Sequence, residues 1–397
     1  MFSNQTSEVV LDSACRVIEA VQGDRVENRW LVGSSRIRQD NHLFVLRYHS
    51  EVNELGVDAM LLHDTGPVQC MATSPSDPTK ILTAAERSST ATLWQAPSEI
   101  MEDTRGMRYD PEEEDALGSA PVVNLESLTT LPSLSGEPLV DVVWRNSLLE
   151  ETTHAGDVVT LDRSGNLSQW DVSMESASSV RTIDGPVENS ICGLAPRAAW
   201  DPHANGDTVA VTRHKSVHLL DLREDTSIPS GIVESFPAHR SSAIMDIDFN
   251  PNKPYVLATA GQDGLLKFWD LRSAKHPLTV CSGGHTHWAW NVKYNPFHDQ
   301  LVLSSGSDSL LNLWRISSIS SAPLMALDDD DDDDDDEEGP SSSASSPNIH
   351  IGRYEHSDAC YASSWGTADA WIYLSVGYEG KAVLHHVPSD EKYKILL

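Results

Sequence analysis

The sequence predicts an all-β fold, a seven-bladed β-propeller with four antiparallel strands in each blade. Three observations predict it. The stretch "FNPNKPYVLATAGQDGLLKFWDLR" (249–272) reads as two short apolar strands, broken at "QDG" and closed by Trp269-Asp270. A similar stretch follows, so that Trp269 and Trp314 stand 45 positions apart. Looser copies of the closing strand are spread through the rest of the 397 residues. A unit recurring at this period supplies one small sheet, and such sheets bury their apolar faces by stacking around an axis.

In chain order, the closing strands are "HLFVLRY" (42–48), "TATLWQ" (90–95), "NLSQWD" (166–171), "SVHLLD" (216–221), the two strands ending near Trp269 and Trp314, and "KAVLHHV" (381–387). The fifth and sixth units agree best. "AHRSSAIMDIDFNPNKPYVLATAGQDGLLKFWDLR" (238–272) and "GHTHWAWNVKYNPFHDQLVLSSGSDSLLNLWR" (284–315) share a His, an Asn-Pro, an Asp and a Trp in register. An Ala-His or Gly-His start and a Trp-Asp-like end mark these as WD repeats. The whole chain, 1–397, therefore reads as one propeller. Two polar stretches interrupt the period: an acidic insertion at 98–135, placed between blades two and three, and an Asp/Ser-rich one at 325–348, placed between blades six and seven. Both are too polar to bury a core and are expected as excursions from the ring.

In WD repeats the shared residues form a hydrogen-bonded tetrad. His239 precedes the first strand of unit five, Thr259 lies on the second, Asp263 in the following turn and Trp269 on the third; His285, Ser304, Asp308 and Trp314 repeat the set in unit six. Each such bond contributes about 0.5–1.5 kcal/mol, but a buried network left half-made costs more, so these residues are expected to fix blade register. Unit seven offers His356 and Ser375, with Glu379 in the place of Asp and His385 in the place of Trp. Unit four has Leu220 at the Trp position, and these units are expected to depend on packing between blades. Two segments compete to supply the outer strand of blade seven, "SEVVLD" (7–12) and "KYKILL" (392–397).

Composition narrows the function classes. The chain is 39% hydrophobic and 22% charged, with a formal net charge of −32. Eleven acids come from the run Asp328 to Glu338, and the remainder is still strongly acidic at −21. That field repels phosphate backbones and anionic lipid headgroups, so nucleic acid and direct membrane insertion are not expected as partners. Proteins, or basic surfaces on them, are. Five scattered cysteines (Cys15, Cys70, Cys192, Cys281 and Cys360) with no C-x-x-C spacing fit a reducing compartment, neither a disulfide framework nor a zinc knuckle. The N-terminus lacks a signal-peptide pattern and no apolar run is long enough to span a bilayer, which places the chain in the cytoplasm.

No catalytic motif stands out, and neither an enzyme activity nor a cofactor is expected. Asp64-Thr65-Gly66 matches the aspartic-protease triplet, but that chemistry needs two copies whose carboxylates share a proton, and there is one. His285 and His287 could offer two imidazoles to a metal, yet no third ligand stands at ligand spacing. Trp288, at the entry of the first strand of unit six, fits a partner contact or plain packing; Trp290 fits the core. Gln262 and Ser307, each next to a tetrad Asp, are further candidate partner contacts. Arg272 completes a Trp-Asp-x-Arg pattern found in substrate receptors of cullin-RING ubiquitin ligases, though many blades carry such an Arg for a structural ion pair. The Asp run reads as a solvated loop, or as a docking site for a basic surface such as a histone tail.

Beyond WD repeats in general, "DIDFNPNKPYVLATAGQDGLLKFWD" (246–270), "HWAWNVKYNPFHDQLVLSSGSDS" (287–309), "YEHSDACYASSW" (354–365) and the terminal "KYKILL", with an acidic insertion before the last blade, resemble the family of EARP and GARP complex-interacting proteins. The likeness is dense over the C-terminal part and diffuse before it, where "RWLVGSSRIRQDNHLFVL" (29–46) and "LLHDTGPVQCMATSPSD" (61–77) are similar. The resemblance implies a non-enzymatic adaptor, monomeric within a larger assembly. It would bind subunits of the tethering complexes that act at recycling endosomes and the trans-Golgi network, and so support endosomal recycling, retrograde traffic and, in animal secretory cells, dense-core vesicle formation. The alternatives are a ubiquitin-ligase substrate receptor and a histone-binding propeller.

Overall fold

A computed structural model of the chain describes residues 6–101, 120–145, 158–172, 178–183, 195–203, 207–222, 232–321 and 348–396. Seven sheets, each with four antiparallel strands a to d counted from the axis outward, form the blades. The third strand of each is the segment that the repeat predicts. In blade five the strands are Ile244–Phe249, Val256–Gly261, Leu266–Asp270 and Thr279–Cys281; in blade six they are Ala289–Tyr294, Leu301–Gly306, Leu310–Arg315 and Ile349–Glu355.

Alternation on these strands sends two apolar rows into the clefts between sheets. Between blades five and six, Val256, Phe268, Tyr294, Val302 and Trp314 share one cluster, and similar clusters join the other neighbours around the ring. The tight turn at "QDG" needs a left-handed residue, and Gly264 supplies it at φ +72°; a Cβ there would also come within 2.9 Å of the His287 carbonyl oxygen.

The innermost strands share an irregularity. In six blades the a–b pairing shifts just after the first residue of strand a, as between Ile244 and Asp246 or Ala289 and Asn291. Such bulges sharpen the local twist where the strands crowd the axis.

The ring closes through "SEVVLD". Ser7–Val10 pairs antiparallel with Lys381–His386 as the outer strand of blade seven, so one blade joins both ends of the chain. "KYKILL" belongs instead to a helix, Ser389–Leu396, whose Glu391 is buried against Arg315 at 2.5 Å. Its Ile395 packs on the apolar cluster between blades six and seven.

Both insertions lie inside blades. Strand d of blade two is Glu126–Pro132, beyond the greater part of the 98–135 stretch, and Val122–Asn124 adds a fifth, parallel strand to the edge of blade one. Strand d of blade six follows the acidic stretch. The reason is a matter of phase: a WD repeat begins with the outer strand of the preceding blade, so a break between repeats is a break between strands c and d. Residues 102–119 and 322–347, which hold part of the first insertion, nearly all of the second and the whole Asp run, lie outside the described residues.

Candidate protein-interaction surface

The tetrads set the geometry of one face of the disc. In blade five, His239 Nδ1 lies 2.9 Å from Asp263 Oδ1, its Nε2 lies 3.0 Å from the Thr259 hydroxyl, and the Trp269 indole donates to that hydroxyl at 3.1 Å. Blade six repeats the set: His285 to Asp308 at 3.1 Å, His285 to Ser304 at 2.8 Å, Trp314 to Ser304 at 2.9 Å. Burial alone would raise the Asp263 pKa, but the His239 hydrogen bond and charge outweigh it and hold the carboxyl at about 2. In blade six, His285 and the Thr286 amide likewise outweigh burial and lower Asp308.

Networks of this kind extend further than the sequence motif. Blade seven keeps all four positions, with His356 3.0 Å from Glu379 Oε1 and 2.8 Å from Ser375, whose hydroxyl lies 2.9 Å from His385. In blade two, His63 bonds Thr83 at 2.8 Å, Trp94 donates to Thr83 at 2.8 Å, and the carbonyl of Gly66 takes the place of the acid at 2.7 Å. This gives the Asp64-Thr65-Gly66 triplet a structural role. Blade three retains Trp170 donating to Thr160 at 2.9 Å.

These bonds pin the b–c turns and d–a loops on one face, and there the candidate contacts gather. Ser307 lies 2.6 Å from His287 Nδ1, and its amide donates to the Trp288 carbonyl at 2.9 Å. His287 stacks on Trp288, Trp288 meets Trp290 edge-on at 5.5 Å, and Trp290 packs on Tyr361 of blade seven at 5.1 Å. Tyr361 meets Tyr378, and the Arg16 guanidinium of blade one lies over both rings, at 5.4 and 5.1 Å. The result is an aromatic array, most of it half-buried, across blades six, seven and one. Tyr361, Tyr378 and Arg16 carried no motif in the sequence; only the closed ring brings them to Trp288.

Trp290 departs from the expected core position. Strict alternation aligns it with Val292 and Tyr294, but the bulge between Ala289 and Asn291 breaks that alternation and leaves the indole half-buried, its N–H without an acceptor. Gln262 is in the blade-five turn, its amide bonded to the Ala243 carbonyl. Arg272 is on the opposite face. Its guanidinium makes two bonds to Asp270, at 2.9 and 2.6 Å, and lies over the Tyr255 ring.

His285 and His287 are each engaged, and the described residues contain no group of three or more side chains suited to a metal ion. Cys15, Cys70, Cys281 and Cys360 are buried free thiols, while Cys192 lies outside the described residues. Among the described residues, no helix is long and apolar enough to cross a membrane.

The family model described as EIPR1 beta-propeller matches residues 193–314. The human EARP and GARP complex-interacting protein 1 is 32% identical, with 93% of each chain covered. This chain belongs to the EARP and GARP complex-interacting protein family. Other similar proteins are the Caenorhabditis elegans EARP-interacting protein 1, 27% identical over 97% of each chain, and the Arabidopsis thaliana WD repeat-containing protein DWA2, 26% identical over 94% of this chain and 93% of its own. In this member of the EARP and GARP complex-interacting protein family, the family-model match covers both complete tetrads, Trp288 and Trp290.

Proposed function

We propose that the chain is a non-enzymatic adaptor that binds EARP- and GARP-type tethering complexes through the b–c face, with Trp288, Gln262 and Ser307 among the contacts. The observation that carries this reading is full-length similarity to proteins named for interaction with those complexes. The geometry supports it, because the hydrogen bonds that rigidify the blades leave an aromatic array on one face, and half-buried indoles anchor many protein interfaces. The adaptor works in the cytoplasm, as a single copy within the assembly. It meets endosomes and the trans-Golgi network through its partners and takes part in endosomal recycling and endosome-to-Golgi transport.

Affinity purification of the tagged full chain from a lysate, at moderate salt, tests the reading. Tether subunits should be recovered by the wild type and depleted for Trp288→Ala; recovery of none by the wild type would overturn it. The ubiquitin-ligase alternative rests on Arg272, whose guanidinium is already held by Asp270 and Tyr255.

A further inference from the structure

The first strands of all seven blades enclose an axial channel of about 540 Å³, and Arg16, Trp290 and Tyr361 of the aromatic array line one of its mouths. Below that mouth the wall is charged. Two carboxylates follow the bulges directly, Asp141 and Asp246; two residues further down their strands come Asp248 and, in blade one, Glu19. Among the described residues, three bases share the lining with these four acids: Arg16 at the mouth and, deeper in the wall, Arg197, 3.6 Å from Asp141, and Lys293, 3.5 Å from Asp246.

Part of this acidity is structural. Asp141 accepts the Ala198 amide at 2.8 Å, Asp246 the Val292 amide at 3.0 Å and Asn291 at 2.8 Å, and Asp248 the Tyr294 amide at 2.8 Å, so each clasps the next blade. Neutral Asn291 does the same job toward Ser363, accepting its amide at 3.2 Å and its hydroxyl at 2.8 Å. A clasp therefore does not require a charge, and the excess of carboxylate calls for another account. Burial, with the neighbouring acids adding to it and Lys293 opposing it, pushes Glu19 up to about 7 and Asp248 up to about 6.

The mouth shows which cations it suits. Arg16 already lays its guanidinium over Tyr361 and Tyr378, so the rim holds a planar cation against aromatic faces. Trp288 and Trp290 continue the same array.

We propose that this mouth receives a lysine or arginine side chain from a partner polypeptide, stacked by Trp288 and Trp290, which Tyr361 backs, and drawn inward by Asp246, Asp141, Asp248 and Glu19. The inference holds whichever complex the partner belongs to. Aromatic faces attract the cation at the rim, and the desolvated carboxylates add a pull that salt weakens only partly.

The test is selection of random peptides on the full wild-type chain, with Trp288→Ala and Tyr361→Leu chains as counter-selection. Enriched peptides should share a Lys or Arg. Changing that residue to Gln should weaken binding about tenfold, and Asp248→Asn, which keeps the clasp acceptor, should weaken it as well. Enriched peptides without a basic residue, no enrichment over the rim variants, or equal binding by the Gln peptide would each overturn the proposal. So would full displacement of the peptide by magnesium at equal ionic strength, since that would assign the channel to a bare cation.

Discussion

In blade seven, Nε2 of His385 lies 2.9 Å from the Ser375 hydroxyl, where blades five and six bring Trp269 and Trp314 to Thr259 and Ser304. The substitution preserves the network and changes its response to acid. Burial, reinforced by the positive charge that His356 and His386 can carry, pushes His385 down to about 3. Its pKa when folded is below the unfolded value of about 6.5, so the unfolded chain takes up the proton first. Stability from this group is complete above pH 6.5 and is lost as the pH falls toward 3. Urea unfolding between pH 7 and 4 should show a falling midpoint, and His385→Trp should flatten that fall. Parallel slopes for both chains would contradict it.

Gly261 and Gly306 end strand b in the two blades with complete WD tetrads. A Cβ on Gly261 would lie 2.3 Å from His239 Nδ1 and 2.4 Å from Asp263 Oδ1; on Gly306 it would lie 2.4 Å from Asp308 Oδ1 and 2.5 Å from His285 Nδ1. Both glycines leave room for the His–Asp pair. Gly261→Ala or Gly306→Ala should cost about 1–3 kcal/mol in denaturant unfolding, since neither imidazole nor carboxylate can withdraw without leaving a buried partner unmet. Gly283→Ala is the control for local clash, because no atom lies within 4 Å of where its methyl group would stand, although its φ of +79° adds backbone strain. Its loss should be the smaller.

The blade count and the third strand of each blade were legible because a closing apolar strand recurs along the chain, and both full tetrads because His, Thr or Ser, Asp and Trp recur at matching spacings in two units. Glu379 and His385 read as gaps in the pattern, yet they hold the network, since a longer acid and a ring nitrogen reach the same partners. The position of Trp290 was not legible: strand alternation puts it inside, and a one-residue bulge turns it toward the array. The array itself joins residues from both ends of the chain, Arg16 and Tyr361, which meet only after Ser7–Val10 has closed the ring. The helical state of "KYKILL" was also hidden, because its stabilising partner, Arg315, lies in another blade.

That helix supplies a third prediction. Arg315 and Glu391 are both buried, and removing one partner leaves the other charge in the interior. Glu391→Ala should cost about 3–5 kcal/mol, read as a lower thermal midpoint. The double change Arg315→Met with Glu391→Met should recover much of the loss. If the double variant is no better than Glu391→Ala, the helix contributes packing and the ion pair does not decide its docking.

The channel gives the last prediction, with the opposite sign. Asp248 is raised to about 6 by burial, with Asp246 adding to it, against an unfolded value near 4. Its carboxylate form is therefore the costly one: the contribution to stability is complete below pH 4 and is lost as the pH rises through 6. Asp248→Asn keeps an oxygen for the Tyr294 amide, now 2.8 Å from Oδ2, and removes the charge. The variant should be more stable than the wild type at pH 7.5, by on the order of 1 kcal/mol, and the two should converge near pH 4. A gain in stability together with weaker binding of a basic peptide would show that the carboxylate is retained for a partner and not for the fold. Equal or lower stability at pH 7.5 would mean that Lys293, whose charge already lowers the Asp248 pKa, neutralises the carboxylate within the folded chain.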